Sequence, residues 1–248
     1  MTGAEARFLR FTEPYTAYGD KIRIKIDHTL RVRDLCADVA ESIGLGGDDV
    51  ELASICGLLH DIGRFEQWRI YGTYNDSRSV DHGDLGAEFL REHDRIRIFA
   101  ETDHDTILHA VEYHNKYRLP DTLSDRDRRF ADITRDADKL DILYSFVVGE
   151  LTCRSRNTAM SEAVFRTVMD GRGIQNRELA TKADEIAVRL AFVFDLRFRR
   201  SFEILRKSDS IGRMIRLQRE EAENEVLKRQ LDVLSEHIQH YLEEQAGV

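Results

Sequence analysis

Apolar residues recur at three- and four-residue steps along almost the whole chain, and only two prolines, Pro14 and Pro120, interrupt it. Such steps place apolar side chains on one face of an α-helix. The strict alternation of a half-buried strand is nearly absent. Proline, the residue that most firmly stops a helix, leaves long stretches unbroken. The pattern predicts an all-α fold, a helical bundle with a C-terminal helical extension.

The periodicity gives approximate bounds. A first long helix is expected from Asp20 to Ile43, ending at "GLGG". A second should start at the cap candidates Asp48 and Asp49 and run to His60, with Gly63 beyond its end. "RFEQWRIYGTYNDSR" reads as a short turn and a loop. Further helices are expected from near Ser79, over "DHDTILHAVEYHN", from Asp125 to Leu151, over Thr181–Arg206 and over Gln218–Glu244. The expected organisation is a helical core over residues 1–155, with helices of 156–248 packed on it. In the last helix Leu227, Leu231, Leu234, Ile238 and Tyr241 form a stripe. Two heptads fall short of a coiled coil, so the stripe reads as packing on the main body, with a homodimer contact as the alternative.

The 248 residues carry a net charge of -9, which argues against a nucleic-acid polymer as ligand. A small phosphorylated ligand held by a few local cations remains compatible with it. Cys36, Cys56 and Cys153 have neither paired nor metal-type spacing and read as reduced thiols. "MTGAEARFLRF" lacks the apolar core of a signal, and no run approaches membrane-spanning length. The expectation is a cytoplasmic protein without a membrane segment.

Nine histidines occur, and four of them lie on apolar helical faces. His28 shares a stripe with Val32, Leu35 and Val39. His60 shares one with Ala53 and Cys56, His82 with Leu85 and Phe89, and His114 with Ile107 and Val111. One inward histidine is usually a satisfied core residue. Four, with Asp61 beside one of them, are hard to satisfy separately. A shared metal centre satisfies them together, because imidazole and carboxylate are good ligands for divalent transition metals. His93, His104, His109, His237 and His240 lie in polar settings and serve as controls. "TRDADKLDIL" supplies a further carboxylate, but spacing alone does not separate Asp138 from Asp141.

In order along the chain, His28, His60-Asp61 and Asp138 resemble the H…HD…D signature of the HD-domain superfamily of metal-dependent phosphohydrolases. "HDIGRFEQ", "YGTYND", "DHGDLGAEFL" and "DADKLD" resemble a bacterial group of HD hydrolases, over about residues 20–150. The resemblance implies that His28, His60, Asp61 and Asp138 bind one metal. It implies that Asp61 bridges to a second, held also by His82 and His114, as in the two-metal subset. The family's usual basic residue after HD is Arg64. "KYRLP" stands where the cyclic-di-GMP phosphodiesterases of the superfamily carry a "GYP"-type motif, which argues against cyclic-dinucleotide cleavage.

Two cations would lower the pKa of a water between them, making hydroxide available near neutral pH, and would neutralise charge on phosphate oxygens. Asp61, Arg64 and Lys139 are the catalytic candidates. Arg64, Lys139, Lys116 and Arg118 are candidates for holding phosphate. The expected activity is hydrolysis of a small phosphorylated compound, a nucleotide or related phosphoester, with Mn, Fe, Co, Ni or Zn as cofactor. A di-iron oxygenase of the same superfamily and a non-catalytic ligand sensor are the alternatives.

Overall fold

A computed structural model describes residues 3–152 and 155–247. Cys153 lies outside the described residues. Among the described residues every regular element is helical, and no helix is long and apolar enough to cross a membrane. The chain divides into two compact units, one ending at Asp138 and the other beginning at Lys139.

The first unit contains α1 (Gly3–Thr12), α2 (Asp20–Ser42), α3 (Gly47–Leu59), α4 (Ile62–Tyr71), α5 (His82–Arg91), α6 (His104–Tyr113) and the first part of α7 (Asp125–Val147). Helices α2 and α3 pack along each other, α5 lies against α4 and α6, and α6 returns to α3. Val32, Cys36, Val39, Ala53, Cys56, Leu59, Ile107, Val111, Ile133 and Ala137 are buried in this core. The apolar stripes read from the sequence are therefore the packed faces. A second cluster is aromatic: Phe11 meets Phe65 at 5.8 Å, Phe89 at 5.4 Å and Phe99 at 6.4 Å between ring centroids.

Four local expectations for this unit are corrected. "RFEQWRIYG" is helix α4, closed by Gly72 in the left-handed conformation, and not a turn. Its apolar stripe is short, but the buried Gln67 side chain donates to Asp76, Ser79 Oγ and the Val80 carbonyl, each at 2.9 Å, and ties the following loop to the helix. Gly63 lies inside α4 and does not end α3. Asp48 and Asp49 occupy the first turn of α3, while Gly46 is the capping residue; there their charges complement the helix dipole. Helix α5 starts at His82, later than Ser79, because Asp81 caps it by accepting from the amides of Gly83 at 2.9 Å and Asp84 at 3.1 Å.

The second unit contains the end of α7, then α8 (Glu162–Met169), α9 (Asp184–Leu190), α10 (Arg199–Ser208), α11 (Ser210–Glu221) and α12 (Glu225–Ala246). The single helix expected over Thr181–Arg206 is broken. A 3-10 turn, Ala191–Asp195, follows α9, and Leu196 and Phe198 adopt extended backbone before α10. Leu190, Val193, Leu196, Phe202 and Leu205 are all buried across these breaks, so the apolar pattern does not report them. Helix α12 begins where Asn224 accepts from the amides of Val226 and Leu227. Its stripe of Leu227, Leu231, Leu234 and Ile238 is buried within this unit, where α12 contacts α8, α10 and α11.

Candidate metal centre

Helix α2 carries His28 and, one turn earlier, Lys25. His60 and Asp61 occupy the junction between α3 and α4. Gly63 explains how α5 reaches them. A Cβ on Gly63 would lie 2.3 Å from the His82 carbonyl oxygen and 2.6 Å from the Gly86 amide nitrogen, so only glycine lets these backbones meet. His82 then enters at the first turn of α5, His114 at the end of α6 and Asp138 from α7.

The side chains converge on Asp61. Its Oδ2 lies 3.5 Å from His28 Nε2 and 3.4 Å from His60 Nε2. Its Oδ1 lies 3.4 Å from His82 Nε2 and 3.7 Å from His114 Nε2. Asp138 Oδ1 closes the first side, 3.2 Å from His28 Nε2 and 3.5 Å from His60 Nε2. All four histidines and Asp61 are buried. Asp141 is also buried, but its carboxylate faces Ser145 Oγ at 3.4 Å. Asp138, one of the two carboxylates between which spacing alone did not decide, thus lies beside His28 and His60.

Hydrogen bonds on the far ring nitrogens orient three of the imidazoles. His60 Nδ1 donates to the Gly57 carbonyl and His114 Nδ1 to the Val111 carbonyl, both at 2.7 Å. His82 Nδ1 donates to Asp76 Oδ2 at 2.7 Å. In the neutral rings the Nε2 lone pairs must therefore point inward. His82 Nε2 and His114 Nε2 face each other at 2.9 Å, and His28 Nε2 and His60 Nε2 at 3.2 Å. For His82 and His114, whose Nδ1–H groups are both engaged, two opposed lone pairs at 2.9 Å repel, and a cation between them removes the conflict. The donor atoms of His28, His60 and Asp138, and likewise those of His60, Asp61 and His114, lie within 4.8 Å of one another. This donor set fits a divalent transition metal.

The electrostatics suit the same role. Burial opposes the charge on Asp61, but Lys25 and His60 outweigh it and hold the carboxyl well below the usual range. Burial likewise opposes Asp138, which hydrogen bonds from His28 and His60 keep ionised. Burial would lower His60, yet the Asp61 and Asp138 carboxylates push it up to about 10. Burial, followed by the nearby Arg64 charge, lowers His82 to about 4. Burial also lowers His114.

The cations proposed from sequence have carboxylate neighbours in three cases out of four. Arg64 Nη1 donates to Asp76 Oδ1 at 2.7 Å, the Tyr74 carbonyl at 2.6 Å and Gln67 Oε1 at 2.7 Å. Its Nε lies 3.6 Å from Asp61 Oδ1 and is buried without a hydrogen-bond acceptor. Lys116 Nζ bridges Asp81 and Asp84, each at 2.7 Å. Lys139 is buried and pairs with Asp195 at 2.9 Å within the second unit. Arg118 is exposed, beside the Tyr117 ring.

The control histidines stay apart from this cluster. His109 pairs with Asp127 at 3.3 Å, His104 donates to the Ala100 carbonyl, and His240 pairs with Glu244. His93 is exposed, and His237 lies beside the Phe194 ring.

Sequence reasoning missed three participants. Lys25 Nζ donates to Asp61 Oδ2. Its position three residues before His28, on the same helical face, was an available signal. Asp76 buttresses His82, and only the loop fold brings it there. Arg135 is buried on α7, and its guanidinium donates to the carbonyls of Tyr113, His114 and Lys116, fixing the chain at His114.

Comparison with known proteins gives a consistent result. The HD domain family model matches residues 26–142. Ribonuclease Y of Rhodopirellula baltica is 35% identical over 101 residues, covering 40% of this chain and 17% of that protein. Ribonuclease Y of Pseudothermotoga lettingae is 31% identical over 105 residues, covering 42% and 16%. Ribonuclease Y of Desulfotalea psychrophila is 28% identical over 135 residues, covering 53% and 22%. The matched segment thus spans less than a quarter of each of these relatives. No solved structure matches.

Proposed function

We propose that this chain, whose residues 26–142 match the HD domain model, is a member of the HD superfamily of metal-dependent phosphohydrolases and hydrolyses a phosphoester of a small phosphorylated compound. The observation that carries the reading is the double facing of Asp61, whose two oxygens each meet a pair of buried histidine Nε2 atoms. His28, His60, Asp61 and Asp138 would hold one ion, and Asp61, His82 and His114 a second. Bound there, divalent ions supply Lewis acidity toward phosphate oxygens and lower the pKa of water. The chain's own residues supply orientation. Asp76 and the Gly57 and Val111 carbonyls fix which imidazole nitrogen faces inward, and Arg64 holds Asp76 in place. Arg118 and Lys116 are the proposed cations for an arriving phosphate. For Lys116 this requires exchange with Asp81 and Asp84.

The relatives favour a second reading. All three are ribonucleases Y by name, which points to an RNA phosphodiester. The net charge of -9 weighs toward the small substrate. A panel of nucleotides, sugar phosphates and a single-stranded RNA oligonucleotide, each with Mn²⁺, separates the two. Phosphate release from small esters with intact RNA supports the first reading, and RNA cleavage alone replaces it with the second.

A further inference from the structure

Among the described residues Lys25 is the one ammonium that touches the centre's shared carboxylate. Its Nζ donates to Asp61 Oδ2. That oxygen is the one facing His28 Nε2 at 3.5 Å and His60 Nε2 at 3.4 Å. The two oxygens of Asp61 are therefore unequal. The His82 and His114 side meets Oδ1, whose neighbouring cation, Arg64, is turned toward Asp76 and approaches only to 3.6 Å through Nε. The His28, His60 and Asp138 side meets an oxygen already bonded to a positive charge.

We propose that Lys25 competes with a divalent ion for Asp61 Oδ2, so that loading of the His28, His60, Asp138 side requires the ammonium to leave. This rests on the reading of the cluster as a metal centre. Two positive charges cannot share one carboxylate oxygen without a Coulomb penalty, and that penalty is large where solvent is mostly excluded. Asp61 is buried and the Lys25 side chain is only 21% exposed, so screening is limited. Lysine suits an exchangeable contact, with a single charged atom on a flexible stem. The stem starts one turn from His28 and the side chain keeps some exposure, so Nζ has a path to solvent. Lys25 would then be a positioning residue that sets how tightly, and in what order, the two sides fill. It holds Asp61 in place until an ion takes over the charge.

The test titrates Mn²⁺ into the full chain after chelator stripping, by calorimetry. Lys25→Met removes the charge and keeps an apolar stem, and Lys25→Arg keeps the charge. The expected result is that Lys25→Met binds Mn²⁺ about tenfold more tightly at one site, while Lys25→Arg does not. Equal or weaker binding by Lys25→Met overturns the proposal. A second measurement needs no variant. Acylation of Lys25 by an N-hydroxysuccinimide ester, read by peptide mass spectrometry, should speed up several-fold in Mn²⁺ compared with chelator. Unchanged or slower labelling overturns the proposal. Failure of the wild-type chain to bind Mn²⁺, Fe²⁺, Co²⁺, Ni²⁺ or Zn²⁺ removes the metal-centre reading and this inference with it. Tight binding that is indifferent to Lys25 removes only the inference.

Discussion

His28 Nε2 and His60 Nε2 face each other at 3.2 Å, although His28 lies on α2 and His60 at the junction between α3 and α4. The Gly57 carbonyl accepts the Nδ1–H of His60, so Nε2 is the nitrogen that faces His28, Asp61 and Asp138. This arrangement suits a shared cation.

The ligand set makes the first prediction. Asp61→Ala removes the only carboxylate common to both sides and should abolish most bound metal and nearly all turnover. His109→Ala should leave metal content unchanged, because His109 pairs with Asp127 outside the cluster. Metal analysis of the purified variants checks both. Full metal content in Asp61→Ala would remove Asp61 from the ligand set.

The second prediction concerns orientation. Asp76 receives the proton of His82 Nδ1 and is itself held by Arg64 and Gln67. Loss of such a partner typically costs about 10- to 100-fold in metal affinity. Asp76→Ala should show that loss, and Asp76→Glu should recover part of it. Arg64→Ala should lower kcat/KM, with Arg64→Lys a poor substitute because one ammonium nitrogen cannot both hold Asp76, as Nη1 does, and lie beside Asp61, as Nε does. Metal titrations of Asp76→Ala indistinguishable from wild type would show that the imidazole needs no support.

Gly63 gives a stability test. A methyl group there meets backbone atoms of His82 and Gly86, which cannot rotate away. Gly63→Ala should destabilise the chain by about 1–3 kcal/mol and displace His82. Thermal unfolding and metal binding should both report it. Gly47→Ala, with no atom within 4 Å of the added carbon, is the control.

Asp184 links pH to stability. Burial opposes its charge, but the amides of Ala180, Ser161 and Thr181 donate to the carboxylate and hold it below its ordinary value. A depressed carboxyl stabilises the folded chain above the unfolded value of about 3.9, and this contribution fades as pH falls through the folded value. Asp184→Asn should therefore cost about 1–3 kcal/mol at pH 7. Its deficit relative to wild type should shrink as the medium becomes more acidic. Denaturant unfolding at a series of pH values checks the trend.

Much of this candidate centre was legible in the sequence because its histidines repeat a helical rule. His28, His60 and His114 each continue an apolar stripe, and stripes face the core. The unread parts depend on contacts between segments. Helix α4 is held by Gln67 through a loop, which periodicity does not register. Gly63 has the residue type of a helix end but serves a close approach of two backbones. Asp76 and Arg135 act on His82 and on the chain at His114 from outside the stripes that revealed those histidines. Asp138 was separable from Asp141 only when the rotation of α7 was known.

The central claim is that this cluster holds metal for hydrolysis, and phosphate release under strictly anaerobic conditions tests it most directly. Protein stripped with chelator and reloaded with Mn²⁺ would be assayed on the phosphoester panel without oxygen. The account predicts phosphate release that disappears with chelator, returns with Mn²⁺ and is lost in Asp61→Ala. Turnover that requires O₂, with a mixed-valence iron signal on substrate addition and no phosphate released in its absence, would contradict the account and favour an oxygenase.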